Sequence, residues 1–124
     1  MYKIGIEDEF EAIHFLKGDF GPETRLHGHR YRVRVTIEGG ELDEFGMFFD
    51  ISMLKAGLKE ILSGLHYHNL NEVEGLKEVN PTVENVCRYI YEKLAPALVS
   101  KRGHIKGLEV TVWESTTAFA SYRE

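Results

Sequence analysis

The 124-residue chain has a single cysteine, no surplus of basic residues and no long apolar run. One cysteine excludes an internal disulfide framework and is typical of a protein of the reducing cytoplasm. The net charge of −5 argues against general binding to nucleic acid, which needs a basic surface. Without a run of roughly 20 apolar residues no membrane-spanning helix is expected, and the N-terminus lacks the shape of a signal peptide. We therefore expect a cytoplasmic protein.

The residues that are present suit one compact domain over positions 1–124, because 43% apolar composition at this length can supply a core. A first strand is predicted from Ile4 to about Leu16, followed by a loop to Arg25. A second strand is predicted from His27 to Glu38, where the alternation is sharp. One face of that strand is apolar, and the other carries Arg30, Arg32 and Arg34.

A helix is predicted to follow Gly46–Phe49, with Asp50 or Ser52 as its cap. Its apolar stripe runs at helical spacing from Leu54 to Leu65, and residues 66–80 read as a polar loop. We interpret Asp50 as a structural capping residue.

A second helix is predicted to start at Asn80-Pro81-Thr82, with Thr82 as its cap. Cys87 falls on its apolar stripe, so we interpret it as a core residue. Pro96 is expected to kink this helix or end it early.

Two further strands are predicted at Leu108–Glu114, entered between Gly103 and Gly107, and at Phe119–Arg123. The order ββααββ indicates an α+β fold, with an antiparallel sheet and both helices on one face. The arginine-bearing face of the second strand is too polar for another core. It faces either solvent or a wet interior formed between subunits.

Three histidines form the main candidate site. His27 and His29 point to the same side of one strand, since side chains repeat every two residues, and His14 lies on the preceding strand. Zinc prefers imidazole ligands, and catalytic zinc sites keep an open position beside three protein ligands. Ordinary hydrogen-bonded surface histidines would give the same spacing, so the spacing alone leaves both interpretations open.

Several short segments, in their order along the chain, resemble the 6-pyruvoyl-tetrahydropterin synthase family, which includes the 6-carboxytetrahydropterin synthases. They are Phe10–His14, Leu26–Tyr31, Phe49–Lys55, Leu70-Asn71, Asn80–Asn85 and Val112–Ser115. The resemblance implies a tunnelling fold (T-fold), with a four-stranded antiparallel sheet and two helices outside it. It also implies a homo-oligomer with active sites between subunits, either a trimeric barrel or a hexamer of two stacked trimers.

The resemblance further implies roles for individual residues. His14, His27 and His29 occupy the positions of the Zn²⁺ ligands, and Glu114 that of the glutamate that anchors the pterin. A carboxylate offers two acceptors to the ring N–H and exocyclic amine of a pterin. Thr82 is expected to combine helix capping with support of the substrate site.

The sequence departs from the family pattern at the proton-transfer positions. The usual base is a cysteine four residues before the first histidine of His-Gly-His, and here that residue is Glu23. The usual Asp-His pair falls on His66 and Tyr67, with His68 one residue out of register. We expect Glu23 and at least one of His66 and His68 to act as acid or base, with Tyr67 a weaker candidate.

A carboxylate is less basic than a thiolate, which favours proton transfer on oxygen over transfer on carbon. The resemblance and this chemistry together predict a zinc-dependent lyase that acts on the side chain of 7,8-dihydroneopterin (tri)phosphate. The favoured product is 6-hydroxymethyl-7,8-dihydropterin, formed by retro-aldol cleavage. The alternatives are 6-pyruvoyl-tetrahydropterin or 6-carboxytetrahydropterin synthase activity, and a catalytically silent protein that binds zinc and pterin. Arg25, Arg30 and Arg32 can meet a phosphate, although solvated basic side chains are the favoured interpretation of them.

Overall fold

The computed structural model describes residues 1–99 and 105–124, so the predicted turn residue Gly103 lies outside the described residues. Four strands form one antiparallel sheet in the order β1-β2-β3-β4. The elements are β1 (Tyr2–His14), β2 (His27–Gly39), α1 (Ile51–Ser63), α2 (Val83–Val99), β3 (Ile105–Trp113) and β4 (Phe119–Tyr122). The predicted α+β class and ββααββ order are confirmed.

The sheet has one apolar and one polar face, as the alternation in β2 predicted. The apolar residues of β2 are fully buried: Tyr31, Val33, Val35 and Ile37. Against this face α1 packs on β1, while α2 packs on β3 and β4. Each helix therefore covers one half of the sheet, and the core lies between the two layers.

The open face of the sheet carries alternating charges. Arg30 pairs with Glu11 at 2.8 Å, and Arg34 pairs with Glu7 at 2.7 Å across the β1–β2 ladder. The guanidinium of Arg32 lies 3.9 Å from the ring centroid of Trp113 on β3. The prediction that this face is too polar to form a second core is confirmed.

The caps of both helices lie where the sequence predicted them. The Asp50 side chain accepts a hydrogen bond from the Ser52 N–H at 2.9 Å, and Thr82 Oγ1 accepts one from Asn85 N–H at 3.2 Å. Pro96 was predicted to kink α2 or to end it early; the early end is wrong, because the helix continues to Val99, and the kink stays a prediction. Leu94 and Leu98 are both buried on either side of Pro96, and their packing outweighs the backbone hydrogen bond that proline removes.

Both predicted loops contain a short 3₁₀ turn, at Gly21–Thr24 and at Leu70–Glu72. The first turn carries Glu23, whose carbonyl accepts a hydrogen bond from the Leu16 N–H at 2.8 Å. The loop that carries Glu23 is thereby fastened to the chain just after β1. Among the described residues, no helix is both long and apolar enough to cross a membrane.

Candidate metal centre

Strand register brings the three predicted histidines together. His14 pairs directly with His27 across the β1–β2 ladder, and His29 pairs with Ala12 two positions further along. All three side chains point to the apolar side of the sheet at the end of this ladder. Their ring centroids lie 4.6 to 5.1 Å apart. The convergence that the sequence pattern predicted is therefore present in the structure.

Backbone carbonyls fix the orientation of two of these rings. Nδ1 of His14 donates to the carbonyl of Pro81 at 2.8 Å, and Nδ1 of His27 donates to the carbonyl of Arg25 at 2.6 Å. In a neutral imidazole the other nitrogen then carries only a lone pair. The two Nε2 atoms nevertheless lie 3.0 Å apart. Two lone pairs at this distance repel each other unless they share a proton or a metal ion.

His29 completes the cluster with a nitrogen that lacks a partner. Its Nε2 is the buried side-chain nitrogen or oxygen that has no hydrogen bond among the described residues. Such an atom normally finds a partner, because burial without one costs roughly 1–3 kcal/mol. Burial lowers the pKa of His14 and outweighs the hydrogen bond to Pro81, which raises it, while the neighbouring rings of His27 and His29 lower it further. His14 is therefore held in the neutral form that a metal ion requires.

Glu23 lies beside the histidines. One of its carboxylate oxygens is 3.2 Å from Nε2 of His27. Ligand atoms of His14, Glu23, His27 and His29 all lie within 4.8 Å of one another. Two nitrogen ligands of a tetrahedral zinc ion would be about 3.3 Å apart, given Zn–N bonds of about 2.0–2.1 Å. The donor set and the partnerless nitrogen therefore fit a divalent metal ion at this position.

Glu114 lies close to the same centre. Trp113, the last residue of β3, pairs with Arg32 of β2. Because the strands are antiparallel, the next residue, Glu114, lies beside Tyr31. Burial raises the pKa of Tyr31, and the charges of Glu114 and Glu23 raise it further. A cleft of about 700 Å³ extends from the metal centre to this carboxylate, and its lining includes His29, Arg32, Trp113 and Glu114. The predicted anchor residue and a predicted ligand thus share one cleft.

Residues 66–69 run along the outer edge of β1. Nδ1 of His66 accepts a hydrogen bond from the Glu11 N–H at 3.0 Å, and the carbonyl of His68 accepts one from Ile13 N–H at 3.1 Å. Tyr67 has φ = +60°, an uncommon conformation for a non-glycine residue. Tyr67 and His68 line a second cleft together with His29, whereas His66 is not among the residues that line it. His66 therefore holds the loop to the strand, while the next two side chains face the cleft.

Two further residues are fixed by structural contacts. Thr82 caps α2, and the neighbouring Pro81 carbonyl orients His14. Cys87 is fully buried, and its thiol donates to the carbonyl of Ala120 at 3.0 Å. The interpretation of Cys87 as a core residue is confirmed.

The sequence did not identify the groups that support the ligands, namely the carbonyls of Arg25 and Pro81 and the hydroxyl of Tyr31. That hydroxyl lies 3.3 Å from Nδ1 of His14. A signal for Tyr31 existed, because it continues the alternation of His27 and His29 on the same face of β2. No sequence signal exists for a carbonyl that comes from a distant loop.

Comparison with protein families gives one match over almost the full length. The family model described as 6-pyruvoyl tetrahydropterin synthase matches residues 3–124. A 6-carboxy-5,6,7,8-tetrahydropterin synthase of Synechocystis sp. is 37% identical over 128 residues, covering 98% of this chain and 93% of the relative. A 6-pyruvoyl tetrahydrobiopterin synthase of Dictyostelium discoideum is 35% identical over 106 residues, covering 84% of this chain and 75% of the relative.

Solved structures give the same fold. The 6-pyruvoyl tetrahydropterin synthase of Caenorhabditis elegans aligns with a TM-score of 0.86 at 28% identity, covering 99% of this chain and 95% of that one. A catalytic-residue mutant of the Plasmodium vivax 6-pyruvoyltetrahydropterin synthase, in which glutamate is replaced by alanine, aligns with a TM-score of 0.76 at 20% identity. It covers 99% of this chain and 97% of that one. The predicted T-fold is confirmed.

Proposed function

Because this chain belongs to the 6-pyruvoyl tetrahydropterin synthase family, we propose that it is a zinc-dependent enzyme that modifies the side chain of a 7,8-dihydroneopterin phosphate. The observation that carries this proposal is the convergence of three imidazoles and a carboxylate at one end of the β1–β2 ladder. Family membership indicates that the substrate is a pterin, and the cluster is the proposed site of the reaction.

His14, His27 and His29 would hold the zinc ion through their Nε2 atoms. When bound, zinc supplies Lewis-acid chemistry that makes side-chain hydroxyl groups of the substrate easier to deprotonate. The protein contributes the orientation of the ligands: the carbonyls of Pro81 and Arg25 hold the protons of two rings away from the centre. Hydrogen bonds of this kind fix the tautomer and raise the basicity of a histidine ligand.

Glu114 would anchor the pterin ring, since a carboxylate accepts two hydrogen bonds from the ring N–H and the exocyclic amine. Its position in the cleft that reaches His29 supports this role, because the side chain of a pterin bound there would extend toward the histidine cluster. Thr82 caps α2, so we assign it support of this region through Pro81 and His14. Its assignment as a substrate-binding residue stays a prediction.

Glu23 is the proposed proton-transfer group. Its carboxylate lies at the centre, half exposed and within reach of a substrate, whereas Cys87 is enclosed in the core. His68 is the second candidate because it lines the cleft that His29 also lines. The predicted role of His66 as acid or base is less well supported, because its Nδ1 is occupied by the backbone of Glu11.

The leading product is a 6-carboxy- or 6-pyruvoyl-tetrahydropterin. The curated relatives at 37% and 35% identity are named for these products. They favour this activity over the hydroxymethyl product that the sequence predicted first.

A second product is favoured by the glutamate at position 23. Deprotonation of the C2′ hydroxyl by a carboxylate allows the C1′–C2′ bond to break, with the electron pair passing to the dihydropterin imine. Protonation of C1′ then gives 6-hydroxymethyl-7,8-dihydropterin, and the remainder of the side chain leaves as an aldehyde. In this route the C2′ hydroxyl loses a proton, and C1′, the carbon activated by the imine, gains one. No other carbon exchanges a proton.

We further propose that residues 1–124 act as one domain in a cytoplasmic homo-oligomer, a trimer or a hexamer. The charged open face of the sheet supports this assembly, because a barrel of several sheets would enclose it as a wet interior. Arg30 and Arg32 lie in the cleft beside Glu114, where they can meet a substrate phosphate. Both already contact glutamates of β1, so a phosphate would compete with Glu7 and Glu11.

Product analysis tests the proposal. Purified zinc-loaded protein is incubated with dihydroneopterin triphosphate, and the pterins are separated chromatographically and identified by mass. We expect a carboxy- or pyruvoyl-tetrahydropterin, or the hydroxymethyl product if Glu23 directs cleavage. The Glu23→Gln variant should lose at least about 100-fold in rate, the lower end of what general acid–base catalysis contributes. Glu60→Gln, on the exposed side of α1, serves as the control.

The result that would contradict the proposal is zinc-loaded protein that binds the pterin but leaves it unchanged. That outcome would identify a catalytically silent zinc- and pterin-binding protein instead.

A further inference from the structure

The metal centre contains a fourth potential ligand beside the three histidines. One carboxylate oxygen of Glu23 lies within 4.8 Å of a ring nitrogen of each histidine and 3.2 Å from that of His27. We propose that Glu23 is the fourth ligand of the metal ion in the substrate-free protein, giving three nitrogen ligands and one oxygen ligand. This inference rests on the metal centre of the proposed function.

The tautomer of His27 supports direct ligation. Its Nδ1 donates to the carbonyl of Arg25, so Nε2 is the ring nitrogen that is directed at both Glu23 and His14. A carboxylate oxygen and two ring nitrogens at this separation need a shared cation, either a proton or a metal ion. One proton on His27 could satisfy a single contact, but it would leave Nε2 of His29 buried without a partner. A divalent ion satisfies all four groups at once.

The backbone around Glu23 also supports ligation. The Glu23 carbonyl accepts from Leu16 N–H at 2.8 Å, and Thr24 Oγ1 accepts from Phe20 N–H at 2.9 Å. These bonds fasten the 3₁₀ turn next to the end of β1, where His14 lies. A ligand needs such support, because a side chain on an unattached loop would lose conformational entropy each time it bound the ion.

Ligation gives Glu23 two successive roles. While it coordinates the ion, its carboxylate is engaged and the centre keeps a low net charge. Once displaced from the ion, this carboxylate would lie close to the substrate hydroxyl that must lose a proton. The Glu23 carboxylate would thus become available as a base only when substrate binds.

The test measures the metal centre in the absence of any pterin. Zinc affinity is determined by competition with a chromophoric chelator, and the visible absorption spectrum is recorded after Co²⁺ replaces Zn²⁺. The variants are Glu23→Gln and the charge-conserving Glu23→Asp, with Glu60→Gln as the matched control. Far-ultraviolet circular dichroism verifies that each variant is folded, which is expected because Glu23 is half exposed.

We expect Glu23→Gln to lower zinc affinity at least about tenfold, the smaller loss that removal of a group supporting a metal site causes. The Co²⁺ spectrum should change in Glu23→Gln and in Glu23→Asp, because the amide binds weakly and the shorter carboxylate alters the coordination geometry. Glu60→Gln should leave both properties unchanged. Wild-type affinity and spectrum in both Glu23 variants would overturn the inference.

This outcome is separate from that of the product analysis. A protein that binds zinc through Glu23 but forms no product would contradict the proposed function alone. A protein that forms product while its Glu23 variants keep the wild-type metal centre would contradict only the ligand assignment.

Discussion

Individual side chains determine which groups can transfer protons, and the contrast between Cys87 and Glu23 illustrates this. Burial raises the pKa of the Cys87 thiol from 9.0 to about 12, and the charges of Glu84 and Glu109 act in the same direction. The thiol therefore stays protonated in the folded protein and cannot supply a thiolate. Glu23 is half exposed at the metal centre and has the freedom to reach a substrate.

The raised pKa of Cys87 predicts a specific dependence of stability on pH. A thiol whose pKa is higher in the folded state contributes stability that is complete below its unfolded value of 9.0 and is lost as pH rises toward the folded value. Between about pH 8 and about pH 10.5, the wild type should therefore lose more free energy of unfolding than Cys87→Ala. Urea denaturation under reducing conditions measures both proteins. Parallel losses would show that the thiol ionises equally well in the two states.

The residues whose placement the sequence predicted correctly are those that depend on local spacing. His27 and His29 follow from the two-residue repeat of a strand, and Asp50 follows from the chemistry of a helix cap. The groups that orient the ligands could not be predicted in this way. The Pro81 carbonyl reaches His14 across 67 positions of the sequence, and any residue type would supply the same carbonyl.

At the level of elements, the segment 66–69 behaves as an extension of the sheet. Its backbone donates a hydrogen bond to Glu11 and accepts one from Ile13, both on the outer edge of β1. Asn69 also forms a parallel bridge with Ile13. The sequence predicted only a polar loop there, because its residues lack the alternation of a strand. The pairing is held by the His66 side chain and the backbone, neither of which alters the hydrophobic pattern.

The contact between His66 and Glu11 predicts a structural effect of mutation. His66→Ala should lower the free energy of unfolding by roughly 0.5–1.5 kcal/mol, the usual net value of one hydrogen bond. His68→Ala is the matched control, since the His68 side chain is exposed and its Nδ1 bonds to the neighbouring carbonyl of His66 rather than to β1. Surface changes of that kind usually stay within about 0.5 kcal/mol. Equal stability of the two variants would mean that the Nδ1 contact of His66 contributes nothing.

Pro96 shows where an element-level rule fails. Proline removes one hydrogen bond from a helix interior and often ends it, yet α2 continues to Val99. Leu94 and Leu98 are buried around it, and apolar burial of two leucines stabilises the last turn by about 1.5–3 kcal/mol each. Sequence patterns report the local penalty but not the tertiary packing that offsets it.

For the whole molecule, the fold and the family are established, whereas the assembly and the metal ion are proposals. The resemblance to the family implied the T-fold, and the predicted order of strands and helices agreed with it. Two features support these proposals: a charged sheet face and a cluster of three histidines and a glutamate. Subunits arranged as a barrel would cover the first, and a divalent ion would occupy the second.

Native mass spectrometry tests the metal centre and the assembly in a single spectrum. Wild-type protein, purified without chelators and reconstituted with zinc, should have the mass of a trimer or a hexamer with one zinc ion per chain. His29→Ala should keep its fold and lose the metal, because its Nε2 is the buried nitrogen without another partner. Wild-type protein that takes up no metal ion, or His29→Ala that retains a full complement, would contradict the account.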